Sequence, residues 1–314
     1  MKKNNIKIAS TGHYVPRKCL TNEDLEKIVD TSDEWIYSRT GIKNRHIIES
    51  PDIENTSDLA YKAALNAINK VNYDKNKIDL IITATFTPDY RSPSVANLVQ
   101  AKLGLSDREI PCFDINAACA GFIYALNIAS QMIESGNYRS VLVIGAEVLT
   151  KFTDYTDRNT CVLFGDGAGA VILEKAIEDK PAYFYTVSQG ELEKIIYVDE
   201  FIHMDGRAVY LFATNTIEKA IKKILNDTNI TLDDIKTIIP HQANLRIIQS
   251  VAKRLELDMN KFFINIEEYG NTSAASVAIA LDEFLSSPNA KSNDKVLLVG
   301  FGGGFTYGAA ILTI

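Results

Sequence analysis

Apolar residues along this chain fall in short runs separated by longer stretches of mixed polarity. The runs at 78–82, 141–145, 235–239 and 296–300 are nearly continuous in Ile, Leu and Val. They are too short for buried helices and predict strands covered on both faces. Residues 95–103, 122–133 and 244–255 carry apolar positions at helical spacing and predict amphipathic helices. This alternation predicts an α/β architecture with largely buried strands.

The order of these elements repeats. Strand 78–82 leads to helix 95–103, to a short strand over Cys112–Ile115, to a helix rich in small residues starting near Cys119, and to strand 141–145. The second half runs through strand 235–239, helix 244–255, strand 263–266, a small-residue helix after Asn271, and strand 296–300. Two similar halves are therefore expected, residues 1–174 and 175–314. The boundary falls where strand 170–173 gives way to the charged segment 175–180. No Pro- or Gly-rich linker separates them.

Composition narrows the function classes. The 314 residues are 46% hydrophobic and 23% charged, as in soluble globular proteins, and the net charge of -7 argues against nucleic acid or an anionic membrane as the main partner. The N-terminus has no apolar stretch with a cleavage site behind it, and no run is long enough to span a bilayer, so a cytoplasmic location is expected. The four cysteines, Cys19, Cys112, Cys119 and Cys161, show no zinc-site spacing, and a disulfide framework is not expected.

Three positions stand out chemically. Cys119, in Asp114-Ile115-Asn116-Ala117-Ala118-Cys119-Ala120-Gly121-Phe122, follows a strand and faces the start of a helix, where unpaired N–H groups favour a thiolate. His241, in Pro240-His241-Gln242-Ala243-Asn244, directly follows a strand. Asn271, in Tyr269-Gly270-Asn271-Thr272-Ser273-Ala274-Ala275-Ser276, sits at another strand-to-helix corner. Taken singly, each has a plain reading: a small core residue, a satisfied core histidine, a turn residue. Together they place three reactive polar groups at one corner of two similar halves.

Two glycine-rich segments need separate readings. Phe164-Gly165-Asp166-Gly167-Ala168-Gly169 leads into an apolar strand rather than a helix, so it is expected to be a tight turn and not a dinucleotide loop. Phe301-Gly302-Gly303-Gly304-Phe305 follows the last apolar strand. It is either a simple turn or a place where backbone N–H groups approach a substrate.

The segments DINAACAGF, FGDGAGA, HQAN, GNTSAAS and GFGGGFTYG occur in that order. In this order and at these separations they resemble 3-oxoacyl-[acyl-carrier-protein] synthase III, and the likeness runs from Ile6 to Ile314. It is weakest over 175–202. The resemblance implies a five-layered αβαβα thiolase-like fold, a homodimer, and decarboxylative condensation of an acyl-CoA primer with malonyl-acyl-carrier protein, without metal or cofactor. It implies that Cys119 carries the acyl group and that its N–H and that of Gly303 form an oxyanion hole. His241 and Asn271 would bind the malonyl thioester carbonyl. Trp35, Arg39, Arg158, Gly206 and Asn244 would contact coenzyme A, with Arg158 stacking the adenine against Trp35. Ser92 and Phe301 would bound the acyl pocket, Ser92 from the partner subunit. Arg246, Lys253 and Arg254 share a helix face by spacing and would meet an acidic carrier protein, although a solvated face is an equal reading.

Two positions depart from the family pattern. Leu211 stands where a basic residue is common, with Arg207 nearby, and Ser92 stands where a bulky aromatic is frequent. They keep open a second reading, an acyltransferase of specialised metabolism with a non-malonyl acceptor.

Overall fold

The computed structural model describes residues 1–190 and 192–314. Nine strands form the central sheet: β1 (Asn4–Tyr14), β2 (Leu80–Ala84), β3 (Cys112–Ile115), β4 (Ser140–Glu147), β5 (Gly167–Lys175), β6 (Pro181–Ser188), β7 (Ile235–Pro240), β8 (Lys295–Gly302) and β9 (Thr306–Thr313). Their order is β7-β8-β9-β6-β1-β5-β4-β2-β3. β2 runs parallel to β3 and β4, and β7 runs parallel to β8. The two sides of the sheet join through only two residue pairs between β1 and β6, Asn4 with Ala182 and Asn5 with Pro181.

Among the described residues seven helices of eight residues or more cover it: α1 (Asp33–Thr40), α2 (Thr56–Lys70), α3 (Val95–Lys102), α4 (Gly121–Glu134), α5 (Gly206–Thr228), α6 (Leu245–Arg254) and α7 (Ala275–Ser286). Helix α4 buries Phe122, Ile123, Ala125, Leu126, Ala129 and Ile133, a broad apolar face at helical spacing. With Val277, Leu281 and Phe284 of α7 it fills the space between the two sides of the sheet. Helices α2 and α3 cover one outer face, and α5 and α6 cover the other. The result is the five-layered αβαβα arrangement. Each large apolar side chain sealed in these layers contributes ~1.5–3 kcal/mol.

Two expectations change. Residues 263–266 do not form a strand: only Phe262 bridges to Ile238, and Ile266–Tyr269 is a short helix. The Gln242 side chain takes up the backbone there, donating to the Phe263 carbonyl at 3.2 Å and accepting from the Asn265 N–H at 3.3 Å. The 164–169 segment is not a turn: Phe164 bridges to Asn271, the Gly165 and Asp166 N–H groups donate to the Asn271 and His46 carbonyls, and Gly167 already opens β5. Gly169 pairs with Gly145 of β4. A Cβ on Gly169 would stand 2.5 Å from Ala278 Cβ, and one on Gly145 would stand 2.4 Å from the Ala274 carbonyl oxygen. The two glycines let α7 lie directly on the sheet. Within 175–202, β6 pairs along β9, and Ile196–Val198 forms a small hairpin with Ile202–Met204. Glu191 lies outside the described residues.

Candidate active site

The C-terminal ends of the parallel strands deliver the reactive groups to one place. After β3, Asn116 Oδ1 accepts the Ala118 N–H at 3.1 Å, and the chain folds into the single 3-10 turn Ala118–Ala120 ahead of α4. Ala118 takes φ +46°, a left-handed conformation that costs a non-glycine residue energy and recurs at functional sites. Cys119 sits on this turn, half-buried, two residues before the helix begins.

His241 follows β7 directly and is buried. Its Nδ1 lies 2.6 Å from Ser276 Oγ, which also accepts the Gln242 N–H at 3.4 Å. The Gln242 N–H and His241 Nδ1 both meet this oxygen; where the Ser276 hydroxyl donates to Nδ1, the ring proton sits on Nε2. The Phe301 ring packs edge-on at 5.3 Å, and burial holds the His241 pKa down to about 3. The imidazole is therefore neutral.

Asn271 follows the Phe262 bridge and is itself tied to Phe164 across the sheet end. Its Oδ1 accepts the Ser273 N–H at 2.9 Å, which turns the amide Nδ2 the other way. Ser273, at φ +50°, is a second left-handed non-glycine residue in the site.

Cys119, His241 and Asn271 line one cavity of about 720 Å³ together with Trp35, Arg39, Gly206, Asn244, Phe301 and Gly303. Asn244 caps α6, its Oδ1 accepting the Arg246 N–H at 2.8 Å, so the helix starts one residue later than the periodicity indicates. The 301–305 segment is the tip of the β8–β9 hairpin, so the turn reading holds. The chain also passes close to the nucleophile here, because a Cβ on Gly302 would lie 2.5 Å from the Cys119 nitrogen. Among the described residues no cluster of three or more His, Cys, Asp or Glu could hold a metal ion, and no helix is long and apolar enough to cross a membrane.

The structure corrects or limits several expectations. The resting thiolate does not survive burial, which pushes the Cys119 thiol from 9.0 up to about 12, with the Ser273 hydrogen bond opposing and the Glu147 charge adding. A helix start is worth ~0.3–2 kcal/mol, less than that rise represents at ~1.4 kcal/mol per pKa step. Arg39 and Arg158 already lie 4.6 and 5.0 Å from the Trp35 ring centre, which leaves no room for a base between Arg158 and the indole unless the guanidinium moves. Arg158 is anchored on the Asp30 carbonyl. Arg246, Lys253 and Arg254 are all exposed on α6, but Arg254 is engaged by Asn215 at 2.7 Å and Glu218 at 3.4 Å. Ser92 is exposed and does not line the cavity of its own chain.

Glu147 was not singled out from the sequence. It ends β4, is fully buried, and receives the hydroxyls of Thr85 at 3.0 Å and Thr87 at 2.6 Å. Its one signal was an acid closing an apolar strand at the corner where Cys119 lies. Ser273 and Ser276 stood inside a quoted motif, but nothing in the spacing showed which atoms they touch.

A family profile described as 3-oxoacyl-[acyl-carrier-protein] synthase III matches residues 113–190, and its C-terminal counterpart matches 225–314. The chain is 54% identical, over all of both chains, to a beta-ketoacyl-[acyl-carrier-protein] synthase III of Acholeplasma laidlawii. It is 48% identical to one of Clostridium acetobutylicum, with 98% of each chain covered. A crystal structure of 3-oxoacyl-[acyl-carrier-protein] synthase III from Aquifex aeolicus superposes with a TM-score of 0.95 at 45% identity, covering 98% of this chain and 100% of that one. With identity of this order along its whole length and the same fold, the chain belongs to the beta-ketoacyl-[acyl-carrier-protein] synthase III family.

Proposed function

We propose that this protein condenses an acyl-CoA primer with malonyl-acyl-carrier protein, with loss of CO2, to give a 3-oxoacyl-carrier protein. The observation that carries this reading is the pair of uncommitted N–H donors beside Cys119. His241 Nδ1 and Asn271 Oδ1 are both engaged within the protein, which leaves Nε2–H and Nδ2–H for the cavity. In the first half-reaction Cys119 attacks the acyl-CoA thioester, and free coenzyme A leaves. The N–H groups of Cys119 and Gly303 receive the oxyanion. In the second, the two side-chain donors hold the malonyl thioester carbonyl while CO2 departs. They stabilise the enolate that attacks the acyl-Cys. Neither can reprotonate that enolate readily: Asn has no acidic proton, and His241 is neutral. Sulfur and neutral donors supply the whole sequence, so the reaction as written needs no metal or organic cofactor.

Trp35, Arg39, Gly206 and Asn244 are the proposed coenzyme A contacts, with Arg158 swinging aside to admit the adenine and closing over it. Arg246 and Lys253 form the main carrier-protein dock. In a homodimer, Ser92 would reach the partner's acyl tunnel, where a small residue leaves room for longer primers; Phe301 bounds the tunnel from its own chain. Residues 1–174 and 175–314 form the two halves, and the cytoplasm is the proposed compartment. Intact-protein mass spectrometry after acyl-CoA treatment tests the first step: an acyl adduct on the wild type and none on Cys119→Ala. An adduct on Cys161 would overturn it.

A further inference from the structure

The reaction proposed above leaves one proton without a destination. Cys119 must lose it before sulfur can attack a thioester, yet His241, its ring packed against Phe301, serves that reaction as a neutral donor. A chain of two contacts starts at the sulfur. Ser273 Oγ is 3.2 Å from Cys119 Sγ, and the same oxygen is 3.4 Å from Glu147 Oε1.

We propose that Glu147 takes up the Cys119 proton through the Ser273 hydroxyl and so positions and activates the nucleophile. This rests on Cys119 being the acyl acceptor. The step balances without any added reagent. The Cys119 S–H proton passes to Ser273 Oγ as the Ser273 proton passes to the Glu147 carboxylate. The pair then stands as thiolate, serine and protonated Glu147. When sulfur has displaced coenzyme A, the proton returns through Ser273 to the departing thiolate, which leaves as a thiol.

The surroundings of Glu147 fit an acid that changes state. Its Oε2 receives Thr85 Oγ1 and Thr87 Oγ1 along with the Thr87 N–H at 3.2 Å, while Oε1, with the Phe86 N–H at 3.4 Å, faces Ser273. Among the described residues no Lys or Arg is paired to it. Lys151 feels its charge, and its ammonium is held by Asn55 and the carbonyls of Thr87 and Pro88. Asp89 and Asp166 share that field of Lys151, and Cys119 faces Glu147 across Ser273. Burial pushes Glu147 up to about 7, with its Thr hydroxyl bonds opposing. Glu147 and Cys119 each disfavour charge on the other, so at rest the one negative charge sits on the Glu147 carboxylate, and the thiolate forms only in the reacting step.

The test is the rate of Cys119 alkylation by iodoacetamide from pH 5 to 10, read by intact mass, which needs no substrate. The wild-type rate is expected to rise through about pH 7 and then level. Glu147→Gln and Ser273→Ala should be about a hundredfold slower at neutral pH, in the range of general-base effects, and should climb steadily to pH 10. Ser273→Ala leaves the Thr85 and Thr87 bonds to Glu147 in place, so it stands as an independent check if Glu147→Gln folds poorly. Thr85→Val touches neither sulfur nor Ser273, and it should move the midpoint to higher pH while keeping the plateau. Wild-type profiles in both Glu147→Gln and Ser273→Ala would overturn the proposal. Acyl-CoA labelling of the same samples separates the two readings. Altered alkylation without any wild-type acyl adduct would retain the relay and refute the synthase, whereas normal acylation with unaltered alkylation would do the reverse.

Discussion

His241 Nδ1 meets the hydroxyl of Ser276 at 2.6 Å, and this contact leaves Nε2 as the ring nitrogen not held by Ser276. Asn271 reaches the same end by a different route, its Oδ1 held by the Ser273 N–H. Each side chain thus keeps one nitrogen, His241 Nε2 and Asn271 Nδ2, for the occupant of the cavity that both line with Cys119.

Removing either donor should separate the two half-reactions. His241→Ala and Asn271→Ala are each expected to lower CO2 release by about a hundredfold or more, since losing one oxyanion-type donor costs ~3 kcal/mol. Single-turnover acylation of Cys119 should stay near the wild-type rate. Equal losses in acylation and CO2 release would mean that the donors act on both steps.

The neutral imidazole also sets a pH dependence. Burial lowers the His241 pKa to about 3, so the neutral ring, which has no acidic proton to give the enolate, is present above that value and is lost only as pH falls through it. Decarboxylation by pre-acylated enzyme should therefore show no acid limb near 6.5 between pH 5 and 8. The same shift makes neutral His241 stabilise the fold above its unfolded pKa of about 6.5, a contribution lost as pH drops towards 3. A titration midpoint near 6.5 in the CO2-release profile would show that the ring is exposed to solvent in the working enzyme.

The basic face of α6 divides in two. Arg254 already serves Asn215 and Glu218, whereas Arg246 is exposed and its guanidinium has no ion pair among the described residues. Arg246→Glu should raise KM for malonyl-carrier protein severalfold, with an effect that shrinks as salt rises. Arg254→Ala should do less. Steady-state assays with malonyl-carrier protein and malonyl-CoA at two salt concentrations check this; an equal loss with malonyl-CoA would place the defect in the cavity instead.

The strands and the corner residues were legible because both depend on local pattern. Continuous Ile, Leu and Val runs can only be buried strands at that length, and Cys119, His241 and Asn271 each stand just past a run or before a small-residue helix. What pattern could not show is contact across the fold. The strand expected at 263–266 yields to the side chain of Gln242, more than 20 residues away in sequence. The glycines of 164–169 look like turn residues, yet Gly169 is needed because Ala278 lies on top of it. The thiolate expected at Cys119 ignored desolvation, which depends on how the cavity closes. Glu147 reads as the polar end of a strand until Ser273 is seen to join it to the sulfur.

The central claim is decarboxylative condensation on Cys119, and its most direct test is a stoichiometry. Purified protein given acyl-CoA and malonyl-carrier protein should release CO2 and free coenzyme A in equal amounts, and Cys119→Ala should release no coenzyme A. Coenzyme A released without CO2, with the acyl group appearing on another acceptor, would contradict the account.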